Sequence, residues 1–233
     1  VLRTRRRGFS LIELVVVMAV SLILTGLLLP ALSQVRENLN RVISASNQRQ
    51  LGMVTIMYSR NYNDRLPYTA LLDGQTGSTR PWELMSAHLG GTDGGWDGLG
   101  LLFSDGYVGN PQLYYCPGYL GEHTYDRYDQ LWLEPGSAPI YTNYHYCGDR
   151  DWEQPEVRRL GNANHPDQIL FSDALFLEGP LNHEDGVNVM REDGSVRWLD
   201  NGADSLDAIL GTMSSDDPDN YRRIWGRLEE LSK

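Results

Sequence analysis

Lysine is almost missing from this chain. Lys233 is the only one, arginine supplies every other member of the 20 basic side chains, and 31 acidic residues outnumber them to give a formal charge of −11. Nucleic-acid backbones are gripped by clustered Lys and Arg, so a composition this acidic argues against a nucleic-acid partner. Cysteine is scarce as well: Cys116 and Cys147 allow one disulfide at most. No serine or cysteine stands beside a histidine in a recognised nucleophile motif, so the chain is not expected to be an enzyme. The run Gly90-Gly91-Thr92-Asp93-Gly94-Gly95-Trp96-Asp97-Gly98 is glycine-rich but lacks the Gly-Lys-Ser/Thr ending that brings a cation to a phosphate. It reads as a surface loop.

What the chain does have is one long apolar run at its amino end. Phe9 to Leu29 holds about 21 residues with Glu13 as the only ionisable group; as a helix it rises roughly 31 Å, one bilayer core. Arg3, Arg5, Arg6 and Arg7 precede it with no acid among them, a bias that keeps the amino terminus cytoplasmic and places the remainder outside. A cleavable signal peptide normally has a shorter core and an Ala-x-Ala-like site, and Leu27-Leu28-Leu29-Pro30-Ala31 offers none. A plain anchor has no use for a carboxylate inside the run, where a charge near mid-bilayer costs on the order of 3 kcal/mol. Glu13 lies near one end, which relieves part of that cost, yet an ionisable residue so placed is expected to have a partner.

Gly8-Phe9-Ser10-Leu11-Ile12-Glu13-Leu14-Val15-Val16-Val17 resembles the cleavage and methylation segment of type IV prepilins and type II secretion pseudopilins: a basic leader, a Gly, a Phe at the first mature position, a Glu at the fifth and an apolar helix. The resemblance implies that a membrane-embedded prepilin peptidase cuts between Gly8 and Phe9, and that Phe9 is then N-methylated. It also implies that Glu13 pairs with the mature amino terminus of a neighbouring subunit. Such pairing is physically reasonable, because a buried carboxylate is costly without a cation in the same dry layer. Pro30 falls where the family tends to kink its helix, and it removes one backbone bond from the ladder. The leader opens at Val1, which suggests an alternative start codon or a trimmed sequence. Loss of its four arginines takes the formal charge to −15.

Beyond Pro30 the helical pattern continues through Leu32, Val35, Leu39, Val42 and Ile43 and resumes at Leu51, Val54, Met57, Tyr58 and Tyr62. Asn38, Asn40, Ser44, Ser46, Asn47, Gln48 and Gln50 form a polar surface. The helix is expected to end near Asn63 or Asp64, ahead of Pro67, at roughly 55 residues and about 80 Å, with its apolar stripe on the domain behind it. The predicted organisation is a leader at 1–8, a transmembrane helix at 9–29, an amphipathic continuation at 30–66 and an extracytoplasmic head at 67–233. About 165 residues suffice for one modest core.

Within the head, the segment from Pro81 to Leu89 reads as a short helix with Pro near its start. Leu113-Tyr114-Tyr115-Cys116-Pro117 and Tyr141-Thr142-Asn143-Tyr144-His145-Tyr146-Cys147 read as two strands. If they lie side by side their sulfurs meet, closing a loop of about 30 residues worth roughly 3 kcal/mol or more; otherwise they are two free thiols. Tyr119, Tyr125, Tyr128 and Trp132 between them suit aromatic packing over a small sheet better than a sugar-stacking loop. Gln168 to Asp173 is a short apolar strand ending in an acid. The segment from Asn182 to Leu199 alternates on both sides of Asp193-Gly194, a hairpin signature. The tail from Asp217 to Leu231 is amphipathic, capped by Asp217 and opened by Pro218, with Tyr221, Ile224, Trp225, Leu228 and Leu231 on one side. It packs on the domain or docks another subunit.

His183 followed by Asp193-Gly194 is similar to the hairpin motif of a pilin-like family that also carries the prepilin amino terminus, and the Tyr-Tyr-Cys-Pro stretch and the strand ending at Asp173 look like that family too. The resemblance implies an α+β fold, a long amino-terminal helix packed on a small antiparallel head. It implies a subunit of a type II secretion or type IV pilus-like fibre, homo- or hetero-oligomeric, in the bacterial inner membrane with its head outside. The alternative is a membrane-tethered module that binds a glycan or a divalent metal, and a third class is an anchored hydrolase with a metal near His183. His183, Asp173, Asp185 and Asp193 are the candidate ligands, imidazole favouring a transition metal and an all-oxygen set favouring calcium. Without a metal, Asp193 sets the turn, Gly194 supplies positive φ, and His183 bonds a backbone carbonyl beneath the hairpin.

Overall fold

The apolar run continues as helix well past the length a bilayer needs. In a computed structural model that describes residues 10–72, 84–91, 94–148, 159–161, 168–175, 182–183, 185–201 and 220–232, α1 spans Leu11–Asn61 without interruption at Pro30. It is long and apolar enough to cross a membrane. Asn63 and Asp64 then take left-handed conformations, with φ of 59° and 61°, and the Tyr62 and Asp64 amides donate back to the Ser59 carbonyl. Asn and Asp tolerate that geometry better than other non-glycine residues, which explains the stop three residues before Pro67.

The chain divides into two compact units, Val1–Leu39 and Asn40–Lys233. In the first, the large apolar residues from Leu11 to Leu39 are exposed, Leu11 at 81 %.

The second unit is an α+β domain. Its larger sheet has the order β3-β4-β5-β6, all antiparallel, from β3 (Tyr144–Tyr146), β4 (Ile169–Asp173), β5 (Gly186–Arg191) and β6 (Val196–Asp200). The hairpin of β5 and β6 turns at Asp193-Gly194, where Gly194 has φ of 84° and Asp193 Oδ1 accepts from the Ser195 amide and hydroxyl. Alternating burial, expected on both sides of that turn, is found on neither: in β6, Leu199 is buried while Val196 and Trp198 on its other face are half-buried. Every residue of β5 is buried, because β5 is central and covered on both faces. Asn188 and Met190 point to α1: Asn188 Nδ2 donates to the Arg41 carbonyl, and Met190 occupies the space a side chain at Gly52 would need. On the other face, Arg191 Nη1 donates to the carbonyl and hydroxyl of Ser232, just beyond the carboxyl-terminal helix α4 (Asn220–Leu231). Ile224, Trp225 and Leu228 of α4 are buried while Leu231 stays partly exposed; its proposed cap, Asp217 with Pro218, lies outside the described residues.

A two-stranded sheet, β1 (Ser86–His88) with β2 (Ile140–Tyr141), stands apart from the larger one. The helix expected over Pro81–Leu89 is therefore corrected: within its described part, Leu84 and Met85 make one tight turn and Ser86–His88 pairs as strand. The single strand expected over Tyr141–Cys147 is two, split at Thr142-Asn143 because β2 and β3 serve different sheets. Short helices α2 (Leu101–Ser104) and α3 (Tyr125–Leu133) complete the domain. Trp132 of α3 stacks on Tyr114 at 4.9 Å and on Trp96 at 5.4 Å and meets Phe103 edge-on at 4.9 Å. Its indole N–H donates to the Tyr115 hydroxyl, so this aromatic-rich stretch is core packing.

Candidate functional site

Two places in the chain carry unusual chemistry, and each is built locally before it is shared. At the start of α1, the Glu13 amide donates to the Ser10 hydroxyl at 3.2 Å and Glu13 Oε2 accepts from the Ser10 amide at 2.8 Å. This is a capping box, in which residues three apart satisfy each other's free donors at a helix entrance. Ser-x-x-Glu was readable in the sequence as such a box. The consequence is that the Glu13 carboxylate turns back toward the amino-terminal end. Gly8 and Phe9 lie outside the described residues.

The second place is buried in the larger unit. Asp173 closes β4 and is fully buried. Its Oδ1 accepts from the Ser44 hydroxyl at 2.7 Å and Gln48 Nε2 at 2.9 Å, both from α1, and lies 3.4 Å from Asn182 Nδ2. Its Oδ2 accepts from the Asn188 amide of β5 at 2.6 Å. A carboxylate so supplied with donors is affordable in a dry interior, and it ties a helix, two strands and the His183 segment together. Ser44 also lies 3.3 Å from the Tyr144 hydroxyl; burial pushes that phenol well above its ordinary range.

His183 sits on the same carboxylate. It bridges to Gly186 at the start of β5, stacks edge-on against Trp198 of β6 at 5.7 Å, and places Nε2 3.7 Å from Asp173 Oδ2. Cys116 Sγ is 3.4 Å from that same Nε2. Gly118 makes the approach possible, since a side chain there would strike the His183 ring and the Asn182 carbonyl. Burial, followed by the charge of Asp173, pushes the Cys116 thiol up to about 12, so without a metal it is a protonated hydrogen-bonding group and a poor nucleophile.

The fold brings together part of the expected ligand set. Asp173 and His183 meet, but Asp185 and Asp193 do not join them. Both are exposed, and Ser195 holds the Asp193 carboxyl below the usual range as part of the turn. Cys116 takes their place, a residue for which the sequence left a bridge and a free thiol both open. Of the two alternatives for Cys116 and Cys147, the structure has the unbridged one: both are buried and neither is in a disulfide. The stretch before Cys116 is a tight turn, Pro111–Tyr114, and not a strand beside β3. Cys116 faces His183, whereas the Cys147 thiol donates to the Gly148 carbonyl.

Cys116 also lines an open groove of about 1050 Å³ between the α1 residues Asn47, Met53 and Met57 and the head residues Tyr107 and Tyr125. The α1 face turned to the domain differs in part from expectation. Ser44, Gln48, Leu51, Gly52, Thr55, Tyr58 and Ser59 are buried, while Val42, Ile43, Met53 and Met57 are exposed. Small and polar residues let the backbone approach the sheet and supply the donors Asp173 requires; of the expected stripe, Leu51 and Tyr58 are buried beside them and Val42, Ile43 and Met57 are left uncovered.

Residues 3–29 match the family described as prokaryotic N-terminal methylation motif, the prepilin-type signal of pilin-like proteins. No curated protein and no solved structure matches the chain.

Proposed function

We propose that this chain is a structural, pilin-like subunit, cut after Gly8 by prepilin peptidase, methylated on Phe9 and assembled through α1 with other pilin or pseudopilin subunits into a type II secretion or type IV pilus-like fibre. The observation that carries the reading is the methylation motif over residues 3–29, joined directly to a helix able to span a membrane. The apolar side chains exposed along Leu11–Leu39 support it, since in water they are a liability and in a bilayer or a bundle of like helices they are not. The Glu13 carboxylate, turned toward the amino-terminal end by its capping box, suits a partner amine at the mature Phe9.

Glu13 has a local duty as well as the proposed one, and Glu13→Gln separates them. Glutamine serves in a capping box as glutamate does but cannot pair as a charge. The expected outcome is normal membrane insertion and loss of residues 1–8 with fibre incorporation blocked, read by intact mass and by sheared-fibre fractionation. Normal assembly of Glu13→Gln would refute charge pairing. An amino terminus other than methylated Phe9 in the native membrane would refute the processing route.

A further inference from the structure

Cys116, Asp173 and His183 each present one ligand atom, and the three atoms lie within 4.8 Å of one another. Sulfur and carboxylate converge on a single imidazole nitrogen: Sγ is 3.4 Å from Nε2 and Oδ2 is 3.7 Å from it. A catalytic relay has another form, with the acid on one ring nitrogen and the nucleophile on the other. Three donors of different residues aimed at one point have the form of a cation site. On a tetrahedral zinc, with zinc–sulfur near 2.3 Å and zinc–nitrogen or zinc–oxygen near 2.0 Å, ligand atoms stand about 3.3–3.5 Å apart. The observed separations of Sγ and Oδ2 from Nε2 differ from that by a few tenths of an ångström.

We propose that Cys116, Asp173 and His183 bind one transition-metal ion of the zinc class, with the fourth position completed by water or by a group entering from the groove beside Cys116. The surroundings fit that use. The Cys116-Pro117-Gly118 turn folds back so that the Gly118 amide donates to Sγ at 3.4 Å, a donor that steadies a metal-bound thiolate. On the Asp173 carboxylate, Oδ1 takes the Ser44, Gln48 and Asn182 donors while Oδ2 takes the Asn188 amide alone, leaving a second lone pair of Oδ2 for a metal on the side near His183. Such outer partners orient ligands and tune affinity. The donor set of one sulfur, one imidazole and one carboxylate selects zinc or cobalt over calcium, which takes oxygen ligands only. Cys116 lines the groove, which provides the access route.

The test uses the full-length chain in detergent micelles, stripped with a chelator and titrated with cobalt under reducing conditions. One equivalent is expected to bind, with tetrahedral visible bands and a near-ultraviolet sulfur-to-cobalt charge-transfer band that zinc abolishes by displacement. Cys116→Ser loses the charge-transfer band and Cys147→Ser keeps it. Ser44→Ala keeps the band with affinity lowered about 10–100-fold. X-ray absorption on the zinc-loaded native chain needs no variant and is expected to show one sulfur near 2.3 Å with the remaining ligands nitrogen or oxygen near 2.0 Å. No band at stoichiometric cobalt, a band that survives Cys116→Ser or disappears in Cys147→Ser, or a zinc shell with no sulfur or two would overturn the proposal.

Discussion

Four buried hydrogen bonds of the larger unit converge on the Asp173 carboxylate. It is fully buried, and its donors come from α1, β5 and the His183 segment. Asp173→Asn keeps the shape but turns one acceptor into a donor that faces either the α1 side chains or the Asn188 amide. Charge-assisted bonds are worth about 1.5–3 kcal/mol each, so a loss of roughly 3–5 kcal/mol in urea unfolding is expected; a loss under 1 kcal/mol would show that the carboxylate is not a hub. The two thiols give a second expectation at this scale. Both are free and buried, so alkylation in denaturant without reductant should add two labels per chain, and the folded chain should label slowly. His123 gives a third. Its Nδ1 is 2.6 Å from the Tyr128 hydroxyl, and burial, then Arg127, lowers its pKa below the ordinary 6.5. The folded state therefore binds the proton less readily than the unfolded one: the stability is present above about 6.5 and is lost as pH falls through the folded value. His123→Gln should flatten the decline in unfolding free energy between pH 7.5 and pH 5; an unchanged decline would place its origin elsewhere.

Elements were legible where the period of the sequence was long or the turn chemistry was sharp. The apolar run announced α1, and Asp193-Gly194 announced the hairpin of β5 and β6. Gly194 adopts φ of 84° with open space where a side chain would stand, so its cost on substitution is conformational. Gly194→Val should destabilise by about 1–2 kcal/mol and Gly194→Asn by less, measured by thermal or urea unfolding, because Asn tolerates left-handed backbone. The face of α1 was legible only in part. Pattern reasoning turns the apolar stripe inward, and Leu51 and Tyr58 do turn inward, but the domain also takes Ser44, Gln48, Gly52, Thr55 and Ser59, residues chosen by close approach and by the needs of an acid that lies over a hundred positions further along. The same limit hid the site: Cys116 and His183 are 67 residues apart, and no local spacing marks them as neighbours. The strand expected at Leu113–Tyr115 failed because Asn110 caps a tight turn there, accepting from the Gln112 amide with Pro111 at its start.

At the scale of the whole molecule, the division at Leu39 and Asn40 falls between the exposed apolar stretch of α1 and the stretch that carries its buried residues. Every buried residue of α1 lies between Ser44 and Ser59, all of them within the second unit. A chain beginning at Val35 should therefore be soluble and retain the unfolding midpoint of the domain, because it keeps Ser44, Gln48 and every α1 side chain that touches the sheet. A chain beginning at Leu51 keeps Leu51, Thr55 and Tyr58 but removes two donors to Asp173 Oδ1 and leaves a buried carboxylate short of partners. At about 1.5–3 kcal/mol for each charge-assisted bond, the loss is about 3–6 kcal/mol, a large share of the roughly 5–15 kcal/mol that holds a domain together. The shorter chain should melt far below the longer one or fail to fold, as read by near-ultraviolet circular dichroism. Equal midpoints for the two chains would mean that α1 adheres to the domain through Leu51–Ser59 alone, and that the polar contacts of Ser44 and Gln48 add little.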